Sequence, residues 1–446
     1  MQEYLTILLF GGFLLLLFIG APITVSLAGA SMFAYLVLDK NPIALVQIAF
    51  TSVGNFPLMA LPAFILAGAL MEAAGISKRL VDIAETLAGP VTGGLGAATV
   101  MACLFFGAIS GSGPATTAAV GMLMVPAMVK RDYDKSYASA VTAASGGLGI
   151  IIPPSIPLVI FGIAALGLSA PPEAVAKYGS FDTLSITKLF VAGVIPGFIM
   201  ASTLVLTNYI ISKRNGYRGL SNQWVLSYIG YAFRRGLWSI LAPFLILGGI
   251  YSGVFTPTES AIVAIFYSLF VGIFIHKQLS MTQVLDSLLT TTRISGRVLL
   301  ILFAASVFGR LLIEQRIPVN VADSLLGLTD NMYLVWSLMI LLLLFVGMFM
   351  ETLAAIMIIV PVLLPIMYML GADPTHVGIV VVCALSIGFA TPPLGENIFV
   401  ASGVGGATVE QITAKIHPFV ITSVLGVFFI AFFPELSLWL PRLVGF

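Results

Sequence analysis

Charge is scarce in this chain. Of its 446 residues, 9% are Asp, Glu, Lys or Arg, whereas a soluble domain carries about 25%. With 59% hydrophobic residues and a mean hydropathy of +1.10, that scarcity excludes a water-soluble globule and reads as an all-α polytopic membrane protein. Cysteine is scarce too: Cys103 and Cys383 both fall inside apolar segments, which argues against a disulfide framework and for two small core residues. The three histidines, His276, His376 and His417, are scattered, with no H-E-x-x-H pair for a zinc intramembrane protease. No G-x-x-x-x-G-K-[ST] loop is present for ATP hydrolysis, and a net charge of +1 gives no case for nucleic acid. The amino terminus, MQEYLTILLF, lacks a basic leader and a small-residue cleavage site, so the first apolar run is expected to stay as an anchor.

What is present organises around residues 105–121, FFGAISGSGPATTAAVG, and residues 151–157, IIPPSIP. No charged residue lies between Thr86 and Val129, yet Lys78 and Arg79 precede this stretch and Lys130 and Arg131 follow it. Basic flanks favour the cytoplasmic side, so the segment is expected to enter the membrane and return to the same face. A glycine-rich polar tip at membrane depth is tolerated only against protein or a watery cavity. The tip is therefore a candidate site.

Along the chain, residues 5–37 are too long for one ordinary span, and Gly20-Ala21-Pro22 offers a turn between two short helices. A third helix is expected over about 56–74, then a polar connector with Lys78, Arg79, Asp82 and Glu85, and the re-entrant hairpin over about 92–128. A broken segment over 136–170 and a balanced loop with Glu173, Lys177, Asp182 and Lys188 follow. A helix over about 189–211 then ends at Lys213-Arg214-Asn215-Gly216, and an amphipathic connector runs from Tyr217 to Arg234-Arg235. The order then repeats. Helices are expected over 237–251, 258–275 and 296–312, with a connector holding Glu314, Arg316 and Asp323. A second hairpin over 332–370, flanked by Asp330 and Asp373, a break at Thr391-Pro392-Pro393 and a last helix over about 412–433 complete the chain.

The halves match in detail. Pro153-Pro154 and Pro392-Pro393 stand 239 positions apart, and the same shift takes Gly149 to Gly388; Gly107 and Gly347 are 240 apart. Basic flanks on the first hairpin and acidic flanks on the second imply opposite orientation. An inverted repeat with paired broken helices points to a secondary transporter with its site at the midplane.

Hydroxyls of Ser110, Ser112, Thr116 and Thr117, with carbonyls freed by glycine and proline, suit Na⁺, a hard cation bound by neutral oxygens. One ion site is expected from Ser110, Ser112, Gly149, Ile152 and Pro154, and a second from Glu351, Thr352, Gly388, Thr391 and Pro393. Taken singly, such Ser and Thr residues also serve helix packing or back-bonding. Half-helix N-termini after Pro114, Pro154 and Pro393 favour an anionic substrate, with Ser112, Thr116, Ser155 and Asn397 as candidate contacts. Glu351 and Glu396 stand in apolar segments, where ionisable groups are functional by default; each could ligand a cation, exchange a proton or pair with an amide. Glu259 reads as a first-turn acid on a helix dipole. Arg293 or Arg297 could face the cavity or snorkel to the interface.

At GAISGSGPATTAAVG, GIIIPPSIPL, GGIYSGVFTPTESA, GMFMETLAAIM and ATPPLGENIFVASG the sequence resembles the large membrane subunit of tripartite ATP-independent periplasmic (TRAP) transporters, of the dicarboxylate and sialic-acid permease type. The resemblance covers essentially the whole chain. It implies an elevator-type fold, with hairpins and broken helices over 92–170 and 332–404 as the transport domain. Scaffold helices and arms would then occupy 1–91, 171–236, 237–331 and 405–446. It also implies Na⁺-coupled uptake of organic anions in a bacterial or archaeal inner membrane. Expected partners are a periplasmic substrate-binding protein and a small four-helix membrane subunit, here a separate polypeptide. Na⁺ ligation carries over to Ser110, Gly149, Ile152 and Pro154; the second-half residues follow by repeat symmetry. On overall resemblance, sialic acid is favoured slightly over C4-dicarboxylates. A stand-alone proton- or Na⁺-coupled organic-anion antiporter is the alternative within transport, with Glu351 the discriminator. A membrane enzyme is disfavoured by the lack of paired His, Asp or Cys, and a passive channel by the two opposed tips.

Overall fold

The computed structural model describes residues 2–446 except Asn55, Gly167, 218–225, Leu328 and Asp330. Glycine and proline divide its apolar sequence into helices. Gly20, at φ +91°, and Pro22 separate α1 (Gln2–Phe18) from α2 (Ile23–Val37). Next come α3 (Ile43–Val53), a 3₁₀ turn (Phe56–Met59) and α4 (Ala60–Ala73). Beyond Ala73 the chain bends by 68° into α5 (Ile76–Ala88). This helix buries Ile76, Leu80, Val81 and Ile83 and exposes Lys78 and Asp82, as an amphipathic connector should.

The first helix pair is α6 (Gly94–Ser110) and α7 (Gly113–Val129), separated by Gly111 and Ser112. At 17 residues each, they rise about 26 Å, short of a roughly 30 Å hydrocarbon core. A broken helix follows: α8 (Lys135–Gly146), a 3₁₀ turn (Gly147–Ile150), a cis Pro153-Pro154 peptide and α9 (Ile156–Ala165). After α10 (Pro172–Tyr178), α11 (Ile186–Asn215) ends at Gly216, φ +73°. Asn208 ties α11 to α6 and α8: its amide donates to the carbonyl of Gly93, the N-cap of α6 (2.9 Å), and the Tyr137 hydroxyl donates to its oxygen (2.9 Å).

The second half contains α12 (Leu226–Tyr251), α13 (Pro257–Phe270) with a π turn (Val271–Ile275), α14 (Met281–Glu314) and α15 (Ile317–Leu326). The second helix pair is α16 (Met332–Phe349) and α17 (Thr352–Met369). A second broken helix runs through α18 (Pro374–Gly388), a cis Pro392-Pro393 peptide and α19 (Glu396–Gly405). The chain closes with α20 (Val409–Phe432) and α21 (Glu435–Val444). Every residue of α18 is buried, which places it at the centre of the fold.

Three expectations are corrected. The connector to Arg234-Arg235 and the helix from 237 are one helix in their described part, because no proline interrupts it before Pro243; residues 218–225 of that connector lie outside the described residues. The third helix of the second half begins at Met281, where Ser280 and Gln283 form a capping box, rather than near 296. Beyond the last expected helix, α21 restarts after Pro434. The flank assigned to Asp330 also lies outside the described residues. Among the described residues, seven helices are long and apolar enough to cross a membrane: α11, α12, α13 with its π turn, α14, α16, α17 and α20. The bent α4–α5 pair would be an eighth.

A cavity shared by two helix breaks

The first tip is built by backbone geometry. Gly111 takes a left-handed conformation at φ +59°, which ends α6, and Ser112 in extended conformation accepts from the Ala115 amide to cap α7. A Cβ on Gly111 would lie 2.9 Å from the Pro154 carbonyl oxygen, so the tip rests on the proline break. The hydroxyls of Ser110 and Thr116 are 2.9 Å apart, and Thr116 donates to the Ser112 carbonyl at 2.7 Å. Gly149 faces the same oxygens: a Cβ there would collide with the Thr116 hydroxyl and lie 2.7 Å from the Ser112 carbonyl. Ser110, Ser112, Thr116, Gly149 and Pro154 therefore meet in one place. Ile152 sends its side chain away, against Gly197 on α11.

The backbone crossings repeat. A Cβ on Gly107 would stand 2.7 Å from the Gly149 Cα, and one on Gly388 would stand 2.6 Å from the Gly347 Cα. Glycine permits both approaches. Around the second crossing, Thr391 donates to the Ile387 carbonyl at 2.7 Å. The Thr352 hydroxyl is buried without a hydrogen-bond partner. Glu351 is the N-cap residue of α17, but its side chain makes no capping bond. Pro393 is exposed, whereas Pro153 and Pro154 are buried.

Asn397 joins the halves. It is fully buried at the start of α19, its amide donates to the Ala143 carbonyl at 3.1 Å, and its Oδ1 has no partner. A Cβ on Gly113 would lie 3.5 Å from that oxygen, which turns Asn397 toward the start of α7. Ser155 is otherwise engaged. Its hydroxyl donates to the Ile150 carbonyl and accepts from the Leu158 amide at 3.3 Å, capping α9. Glu259 closes a capping box with Thr256 at the start of α13.

Both tips open on one cavity of about 330 Å³, room for about ten waters at ~30 Å³ each. Residues 110–115 of the first tip and 351–353 of the second line it, with Phe389 and Glu396 from the second break. The α4 wall contributes Ile65, Gly68, Ala69 and Glu72, and α14 contributes Thr290, Ile294, Arg297 and Val298. Of the two arginines considered on α14, Arg297 is the one that lines the cavity. Sequence reasoning missed Glu72, although it is the one charged residue between Asn41 and Ser77. Hydroxyls, backbone carbonyls and carboxylates, together with one guanidinium and the start of α7, give this cavity groups for both a cation and an anion.

The chain matches the family model for the tripartite ATP-independent periplasmic transporter, DctM component, over residues 10–436. It belongs to that family. The resemblance drawn from the tip and break motifs is thereby established, and the chain is a TRAP large permease subunit, a multi-pass membrane protein of a secondary transport system. It is 41% identical over 413 residues to an isethionate TRAP transporter permease protein, DctMQ, of Oleidesulfovibrio alaskensis. That alignment takes in 92% of this chain, which spans 62% of that relative's length. It is 34% identical over 446 residues to the C4-dicarboxylate TRAP transporter large permease protein DctM of Rhodobacter capsulatus, covering 98% of this chain and 99% of that protein. These relatives are transporter permeases, which is consistent with the expectation that this TRAP subunit is not an enzyme. Among solved structures, the YdaH transporter of Alcanivorax borkumensis superposes with a TM-score of 0.60 over 90% of this chain and 87% of that one. At 14% identity the likeness is one of fold.

Proposed function

We propose that this TRAP subunit couples inward Na⁺ movement to import of a small organic anion across the cytoplasmic membrane of a bacterium or archaeon. The observation that carries this reading is the single cavity bounded by both tips. Na⁺ would bind first among the Ser110 hydroxyl, the Thr116–Ser112 pair and the carbonyls of Gly149, Ile152 and Pro154. A second ion would use Glu351, Thr352, Gly388, Thr391 and Pro393. These ions order the tips, and the ordered tips complete an anion site with Ser112, Thr116 and Asn397. Ser155 positions α9 rather than touching substrate, since its hydroxyl is engaged within the break. The substrate carries a carboxylate, as sialic acid and C4-dicarboxylates do, or a sulfonate, as the name of the isethionate relative suggests. A periplasmic binding protein delivers it, and a small four-helix membrane subunit completes the assembly.

In this reading residues 92–170 and 332–404 move as one transport body against a scaffold, in an elevator mechanism. The short α6 and α7, each below the length of a span, support their role as a re-entrant pair. A second reading, proton coupling through a stand-alone antiporter, draws on the presence of Glu351 and Glu396 in the same cavity. The two separate on ion binding to the purified chain. With Na⁺ coupling, Na⁺ but not K⁺ raises the melting temperature, and Thr116→Val abolishes that rise. A melting temperature that responds to pH and not to Na⁺ favours the proton.

A further inference from the structure

Four ionisable side chains line the cavity: Glu72 on α4, Arg297 on α14, Glu351 at the start of α17 and Glu396 at the start of α19. Three carboxylates thus face one guanidinium. Among the described residues Arg297 makes no hydrogen bond or ion pair, yet it lies within electrostatic reach of Glu351 and Glu396. Beside Glu351, Thr352 is 2% exposed and its hydroxyl has no partner.

This charge distribution discriminates between ligands. One anionic head has places to go: the free guanidinium of Arg297 and the Gly113 amide at the start of α7, where Pro114 has no N–H and the Ala115 and Thr116 amides already donate to Ser112. A second anionic head finds no further cation among the described lining residues and meets carboxylates instead, a like-charge clash of the kind that rejects a wrong partner. A hydroxyl, by contrast, can donate to a carboxylate in a charge-assisted bond and accept from Thr352. The carboxylate of Glu351 has about four lone-pair sites, enough to serve an ion and a hydroxyl together.

We propose that the cavity selects a monoanion with a hydroxylated tail over a dicarboxylate, with Arg297 holding the anionic group and Glu351 with Thr352 holding the hydroxyl. This rests on the reading of the cavity as the substrate site. Arg297 and Glu351 are then specificity-determining residues lining one pocket.

The test uses the full chain in lipid nanodiscs at saturating Na⁺, with ligand binding read by thermal shift and calorimetry. The probes are isethionate, glycolate and sialic acid, their unhydroxylated counterparts ethanesulfonate and acetate, and succinate. The tightest binder should be a hydroxylated monoanion, at least tenfold tighter than succinate, and isethionate should bind more tightly than ethanesulfonate. Glu351→Gln should narrow the gap to succinate. Arg297→Gln should abolish every anion response while the Na⁺ response persists, and Arg297→Lys should restore part of it. Succinate binding as tightly as the hydroxylated monoanions, or no anion response from any probe, overturns the proposal. If Na⁺ itself produces no shift, the reading of the cavity as a Na⁺-coupled site fails, and that result is distinct from a loss of hydroxyl preference alone.

Discussion

Gly149 and Thr116 meet so closely that a methyl group on Gly149 would overlap the Thr116 hydroxyl and come within 2.7 Å of the Ser112 carbonyl. The helix break thus reads directly onto the oxygens of the first tip. Gly149→Ala should cost about 1–3 kcal/mol through overpacking and should also displace the Thr116–Ser112 pair. We expect a lowered melting temperature together with loss of the Na⁺-induced shift. A variant that loses stability but keeps full Na⁺ response would detach Gly149 from the ion site.

Thr352 offers the converse case. Its hydroxyl is buried with no partner, so removing it breaks no hydrogen bond and takes away a desolvated polar group. Thr352→Val should leave the ion-free melting temperature unchanged or slightly raised while weakening Na⁺ binding. Calorimetric titration of both proteins with Na⁺ separates the two effects.

Asn208 is buried away from the lining of the cavity. It satisfies the Gly93 carbonyl and the Tyr137 hydroxyl across buried helix contacts. Asn208→Ala removes both bonds but leaves the Gly93 carbonyl its Ala97 amide and the Tyr137 hydroxyl the longer contacts to the residue 208 carbonyl and Ser212, so the cost should be about 1 kcal/mol. Melting temperature should fall, and the Na⁺ dissociation constant should stay within twofold of the wild type.

Outside the membrane spans, Asp182 receives a 2.8 Å hydrogen bond from the Lys188 ammonium, which holds its carboxyl below the usual range. A depressed carboxylate contributes stability above its unfolded pKa, and loses it as pH falls through the folded value. The Asp182 side chain is 67% exposed, so the contribution should be under about 1 kcal/mol. The melting-temperature difference between wild type and Asp182→Asn should therefore be small at neutral pH, should begin to fall only below about pH 4, and should vanish once pH drops below the depressed folded value.

Much of the architecture was legible because proline and glycine act locally. Gly20-Ala21-Pro22, the 110–114 tip and the two Pro-Pro pairs each impose a break whatever surrounds them, and helices end near those positions. Charge was a poorer guide. Arg234-Arg235 suggested a boundary where the helix continues, because two arginines do not interrupt backbone hydrogen bonding. The convergence of α4 and α14 on the tips was not legible. Glu72, Arg297 and Glu351 are far apart in sequence, and their shared cavity arises from helix packing that hydropathy does not encode. Likewise, the commitment of Ser155 to capping α9 depends on the conformation of the break rather than on residue type.

The most direct test is uptake in proteoliposomes, with the chain reconstituted beside the proposed small membrane subunit and periplasmic binding protein. Radiolabelled organic acids would be offered under an inward Na⁺ gradient, a K⁺ gradient or a pH gradient, with and without the binding protein. The account predicts accumulation with Na⁺ and the binding protein together, and none with either alone. Accumulation driven by the pH gradient without the binding protein would contradict it and transfer the coupling role to Glu351 and Glu396.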